Sequence, residues 1–149
     1  MLFAIALLTL TAMEPQALAT SNDVANAAAT CMIAAGKKGV DRSLFKAPEW
    51  AADGVGSAGF HHSVHPVTIE IPRDKDGVAR ICVVRAQLPS QAEQKALAAN
   101  LKNLLQAKPV DQGASLVWLV NTKTGLRGIQ LYLDKTSDQP SVRLIGAAF

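Results

Sequence analysis

Charge of either sign is scarce at the start of this 149-residue chain: no lysine or arginine precedes Lys37, and Glu14 is the only acid before Asp23. Long apolar runs are missing too. Met1–Met13 falls short of the ~20 apolar residues that a membrane-spanning helix requires. Cysteine occurs twice and never as Cys-x-x-Cys, which removes the usual basis for thiol redox catalysis. Aromatics make up 5% of the chain and are not interleaved with a basic tract, since only Lys37 and Lys38 are adjacent cations. Nucleic acid is therefore excluded as the expected partner. No internal repeat is evident, and the composition bias is limited to alanine.

What is present at the start is an apolar core, a break at Glu14-Pro15-Gln16, and Ala17-Leu18-Ala19. Together these read as a secretory signal peptide over residues 1–19, cleaved after Ala19, even though the start lacks the usual positive side chain. An uncleaved anchor or a buried N-terminal helix is the alternative. The mature chain, residues 20–149, is expected to be one domain, periplasmic or secreted, with a formal charge of +4 and no stable membrane span. Export gives the cysteines a role, because Cys31 and Cys82 then form the only available disulfide. Closing a loop of about fifty residues is worth roughly 4 kcal/mol in the chain-entropy account.

Ser21–Ala35 reads as a helix capped by Ser21 or Asn22, with Val24, Ala27, Ala28, Cys31 and Ala35 on one face and Gly36 in a left-handed terminal position. Residues 37–65 form a long irregular loop carrying Phe45, Trp50 and Phe60. Val67, Ile69 and Ile71 alternate as a strand, and Arg73–Gly77 turns the chain into a second strand over Val78–Leu88. Ser90-Gln-Ala-Glu93 is a capping box opening a helix to about Lys108, with Leu97, Leu101, Leu104 and Leu105 as its stripe. Leu116–Val120, Gly128–Leu133 and Ser141–Ala147 complete a five-stranded, mainly antiparallel sheet. The expected fold is an α+β two-layer sandwich of order α-β-β-α-β-β-β, both helices on one face.

Several motifs match catalytic patterns in letter only. Gly54-Val-Gly56-Ser-Ala-Gly59 lacks the strand before it and the helix after it that a dinucleotide site needs. Ser43-Leu-Phe-Lys46 with Lys123-Thr-Gly125 lacks the Ser-Asp-Asn element of serine penicillin-recognising enzymes. Asp74-Lys-Asp76-Gly77 joins two strands and has too few oxygens for a calcium loop. His61, His62 and His65 are clustered, and imidazole binds Zn or Cu. With Asp53 or Glu49 they make a metal-binding protein or metal-dependent enzyme the alternative function. Otherwise no cofactor is expected.

The leading expectation is a small exported binding module that uses the exposed sheet face or the long 37–65 loop for a protein partner or for self-association. If Cys82, Val84 and Ala86 face the helices, then Ile81, Val83 and Arg85 face away, joined by Val117, Leu119, Tyr132, Arg143 and Ile145. A sheet face this apolar needs a cover. The candidates are the 37–65 loop, a second copy in a homodimer, another envelope protein, or a ligand held between loop and sheet.

Overall fold

The computed structural model describes residues 17–54 and 58–149. Most of the expected signal peptide, residues 1–16, lies outside the described residues, as does Gly56. The α+β class holds, but the sheet is larger than expected. It has eight antiparallel strands rather than five, in the order β1-β2-β3-β4-β8-β7-β6-β5. In chain order the elements are α1 (Ser21–Ala34), a short 3-10 turn (Arg42–Leu44), β1 (Trp50–Ala52), β2 (Gly59–His62), β3 (Thr68–Glu70) and β4 (Cys82–Gln87). Then come α2 (Gln91–Leu105), β5 (Val110–Asp111), β6 (Ser115–Thr122), β7 (Gly125–Tyr132) and β8 (Ser141–Ala148). Each half is thus a helix followed by a four-stranded meander, and the two meanders join where β4 pairs with β8.

The three added strands are short; two of them, β1 and β2, correct the expected loop, and the third is β5 beside β6. Segment 37–65 contains the 3-10 turn, β1 and β2, which extend the sheet outward from β3. Its aromatics do not cover the far sheet face. Phe45, Trp50 and Phe60 are buried on the helix side and pack on one another, with Phe45 5.5 Å from Trp50 edge-on and 5.3 Å from Phe60.

Helix α1 is capped by Thr20, one residue before the first of the expected caps. The Thr20 hydroxyl accepts the Asp23 N–H, and the Asp23 carboxylate accepts the Thr20 N–H, closing a capping box. Val24, Ala27, Ala28, Cys31 and Ala35 are all buried, and the run of small side chains lets the helix lie close to the sheet. Gly146 shows how close: a Cβ there would sit 3.0 Å from the backbone of Cys31 and Met32. Gly146 is the register partner of Cys82, and the Cys31–Cys82 disulfide clamps α1 at that same place, with the two Cα atoms 5.4 Å apart. Gly36 serves a purpose other than the one expected. Its φ is not positive; a Cβ there would meet the Gly39 carbonyl oxygen at 2.5 Å, so it permits a close turn.

Helix α2 packs against α1 and β6. Leu97 and Leu101 are buried and Leu105 is partly so, but Leu104, expected on the same stripe, is 48% exposed. Ser90 caps the helix by accepting the Glu93 N–H at 3.2 Å. The Glu93 carboxylate does not complete the box; it accepts the Ser21 N–H at 2.8 Å and so satisfies an open donor of α1. Gln94, also buried, exchanges two hydrogen bonds with the backbone of Asp134 after β7.

Candidate functional site

The sheet has one face under the helices and one without them. On the helix side lie Cys82, Val84, Trp118, Ile129, Leu131, Val142 and Leu144, all buried. The strand register places the opposite set in rows across the helix-free face. Val83 faces Ile145, which faces Gln130, which faces Val117, which faces Val110. In the next row Thr68, Arg85, Arg143, Tyr132 and Ser115 follow one another. Leu119, opposite Gly128 and Ala147, forms a third.

Sequence reasoning therefore grouped Val83, Arg85, Val117, Leu119, Tyr132, Arg143 and Ile145 on the face they occupy. Their exposure differs from expectation at one of them. Val83, between Glu70 and Ile145, is buried, whereas Leu119 is 49% exposed. Ile81 lies just ahead of β4 and is half-buried. Two residues that the sequence pattern did not single out add to the apolar area. Val110 is 58% exposed on the edge strand, and Phe149 is 57% exposed. The Phe149 ring folds back over Gly128, where a Cβ would meet it at 2.8 Å and Leu119 at 3.2 Å. Val117, Ile145, Ala147 and Phe149 line a shallow groove of about 80 Å³ there. The missed signal was Gly128, a glycine in mid-strand, which marks a close approach.

Beside the apolar rows stand two arginines. Arg85 and Arg143 are direct register partners on β4 and β8, and both are exposed. Arg85 donates through Nε to Glu70 Oε1 at 2.8 Å. Arg143 lies over the Tyr132 ring, its guanidinium carbon 4.9 Å from the centroid, a cation–π contact.

The three histidines do not converge as a ligand set. His61 faces the helix-free side, where its Nδ1 is 2.7 Å from Asp53 Oδ1; Gly59 leaves the room that this carboxylate occupies. His62 faces the other way and lies beside Trp50, with ring centroids 5.0 Å apart. The His62 ring lies against that of His65, with centroids 4.6 Å apart. Val64 and His65 both donate backbone N–H bonds to His62 Nδ1, so that nitrogen has no lone pair left for a metal. The ring proton then sits on Nε2, 3.5 Å from Glu49 Oε1, while His65 Nδ1 is 3.4 Å from Asp23 Oδ1. Among the described residues no three His, Cys, Asp or Glu side chains are grouped to hold a metal ion. The residues thus do not fit the Zn or Cu centre that their spacing suggested.

What the histidines share is a cleft. All three line a cavity of about 510 Å³ at the end of β3, together with Thr68, Arg85, Gln87 and Ser141. There β4 runs on beyond its pairing with β3, and Ala19 takes the open position by donating its N–H to the Gln87 carbonyl at 2.8 Å. Arg85 is where the cleft meets the helix-free face. Of the other sequence motifs, Asp74 and Asp76 hold Arg80 at 2.8 and 2.6 Å in the turn before β4, which occupies the carboxylates a calcium loop would need. Lys123-Thr-Gly125 is the turn between β6 and β7. Comparison with protein-family models, curated proteins and solved structures finds no match to this chain.

Proposed function

We propose that this chain is a small exported binding module that docks a partner protein on the helix-free face of its sheet. The observation that supports it is a continuous surface of Val117, Leu119, Ile145 and Phe149 bordered by Tyr132 and Arg143. The aromatics of segment 37–65, which were the internal candidates to cover this surface, are packed on the opposite side. Apolar patches rimmed by polar residues mark interaction sites, and Tyr and Arg are, with Trp, enriched among the residues that carry binding energy. Export is supported by the Cys31–Cys82 disulfide, which persists in oxidising compartments, together with the leader-like start. Among the described residues no helix is long and apolar enough to cross a membrane.

The test is the double variant L119D/F149D. Both side chains are about half exposed or more, so the variant should unfold at the wild-type midpoint. It should lose the protein that co-purifies with wild type from the producing cell's envelope fraction. If wild type is instead a dimer by solution mass and the variant a monomer, the partner is a second copy. Identical co-purification and identical mass for variant and wild type would refute docking on this face.

A further inference from the structure

We infer that the partner is recognised through a carboxylate held between Arg85 and Arg143, an acidic side chain flanked by apolar residues in an extended protein segment. This rests on the docking reading and names the chemistry of what docks. Like charges directly opposite on neighbouring strands repel, and here two guanidinium groups face each other at the junction of β4 and β8. Glu70 is the one carboxylate bonded to either of them among the described residues, and it takes only the Nε–H of Arg85. The two terminal nitrogens of Arg85 donate to no protein partner among the described residues, and Arg143 is held by the Tyr132 ring alone. Two planar forks with unused donors match the two oxygens of a carboxylate.

The surroundings choose between anions. On one side of the arginine pair the next register row is Val83, Ile145, Gln130 and Val117. A segment whose acidic side chain reaches the arginines therefore sets its neighbours on apolar surface, which suits a protein better than a phosphate backbone. A second copy fits worse. In a two-fold contact the same patch meets itself, so four guanidinium groups would gather with two Glu70 carboxylates.

The test uses the isotope-labelled, disulfide-bonded protein and two peptides, acetyl-Leu-Glu-Val-Leu-amide and its Gln counterpart, with inorganic phosphate as a third probe. The Glu peptide should move the Arg85 and Arg143 Nε–H resonances together with the Val117, Leu119 and Ile145 amides. It should bind about tenfold or more tightly than the Gln peptide, the difference expected of a charge-assisted pair. R143Q should keep the dispersed spectrum and the disulfide and bring the two affinities together. Equal binding of the two peptides by wild type, or no shift at millimolar peptide, overturns the inference. So does phosphate moving the arginine resonances as the Glu peptide does, with the apolar amides unmoved, since the pair is then an ion site. L119D/F149D separates the two levels. If it abolishes binding of both peptides while wild type does not distinguish them, docking stands and carboxylate recognition falls. If it leaves the Glu preference and affinity intact, the arginine pair stands and docking on the apolar rows falls.

Discussion

Gly146 fixes how closely α1 approaches the sheet. With backbone atoms of Cys31 and Met32 3.0 Å from any Cβ placed there, no flexible side chain can swing aside, and the disulfide to the neighbouring Cys82 holds the helix in place. G146A should therefore cost about 1–3 kcal/mol, as overpacking does, read as a lower denaturant midpoint with the slope unchanged. A midpoint equal to wild type would mean that α1 has slack to move. Asp134 acts through charge. The Ser137 hydroxyl and the backbone N–H groups of Ser141 and Thr136 hold its carboxyl down to about 2. Its folded value lies below the unfolded ~3.9, so its contribution is complete above about pH 4 and disappears as pH falls toward 2. D134N removes the charge at every pH. Its melting temperature should lie below wild type at pH 7, and the gap should close between pH 4 and pH 2; a gap constant across that window would assign the loss to shape rather than charge. Neither role is visible in the sequence, because Gly146 matters through a helix more than a hundred residues away and Asp134 through a seven-residue return to Ser141.

At the scale of elements, what was legible is what carries local pattern. The alternation Val67, Ile69, Ile71 and the stripe through Leu97 and Leu101 each place a buried face correctly. Trp50–Ala52 and Gly59–His62 have no such pattern: Ala, Gly and His are indifferent strand formers, and these strands exist because the edge of β3 offers them a ladder. Val110–Asp111 is two residues long and gains its pairing from β6 in the same way. The capping box at Ser90 was half legible. Glu93 has the right residue type at the right spacing, but it serves α1, which only the packing of the two helices could reveal. E93A should then weaken the start of α1 and cost about 1.5–3 kcal/mol, the range for a hydrogen bond to a charged group. Hydrogen exchange is the discriminating measurement, since protection should fall at the Ser21 amide while the Glu93 amide keeps its bond to the Ser90 hydroxyl. Loss confined to α2 would show that the glutamate caps only its own helix.

The molecule as a whole is two helix-plus-meander halves meeting at the β4–β8 seam, and the two ends of the described chain border the apolar groove and the histidine cleft. Phe149 closes one side of the apolar groove, and residues 17–19 close the edge of β4 beside the histidine cleft. The second of these sets up a contest if a leader is removed after Ala19. Removal takes away a side chain that is 1% exposed and leaves the Gln87 carbonyl without its N–H donor. A buried alanine methyl and one hydrogen bond are each worth about 1 kcal/mol. Against this, the new α-ammonium of Thr20 would sit where the Thr20 N–H now lies, 3.2 Å from Asp23 Oδ2. An exposed ion pair returns about 0.2–1 kcal/mol, and the positive end of the α1 dipole opposes it. The losses win. A chain beginning at Thr20 should be about 1 kcal/mol less stable in urea than one beginning at Ala17, and its difference should widen at high salt, where the ammonium–carboxylate pair is screened. The shorter chain also opens the backbone of β4 beside Arg85, so the cleft of the processed protein would be larger and would present an unpaired strand edge next to the arginine pair. Equal stability of the two chains at low and high salt would place Ala19 outside the cooperative fold and leave the cleft as it stands.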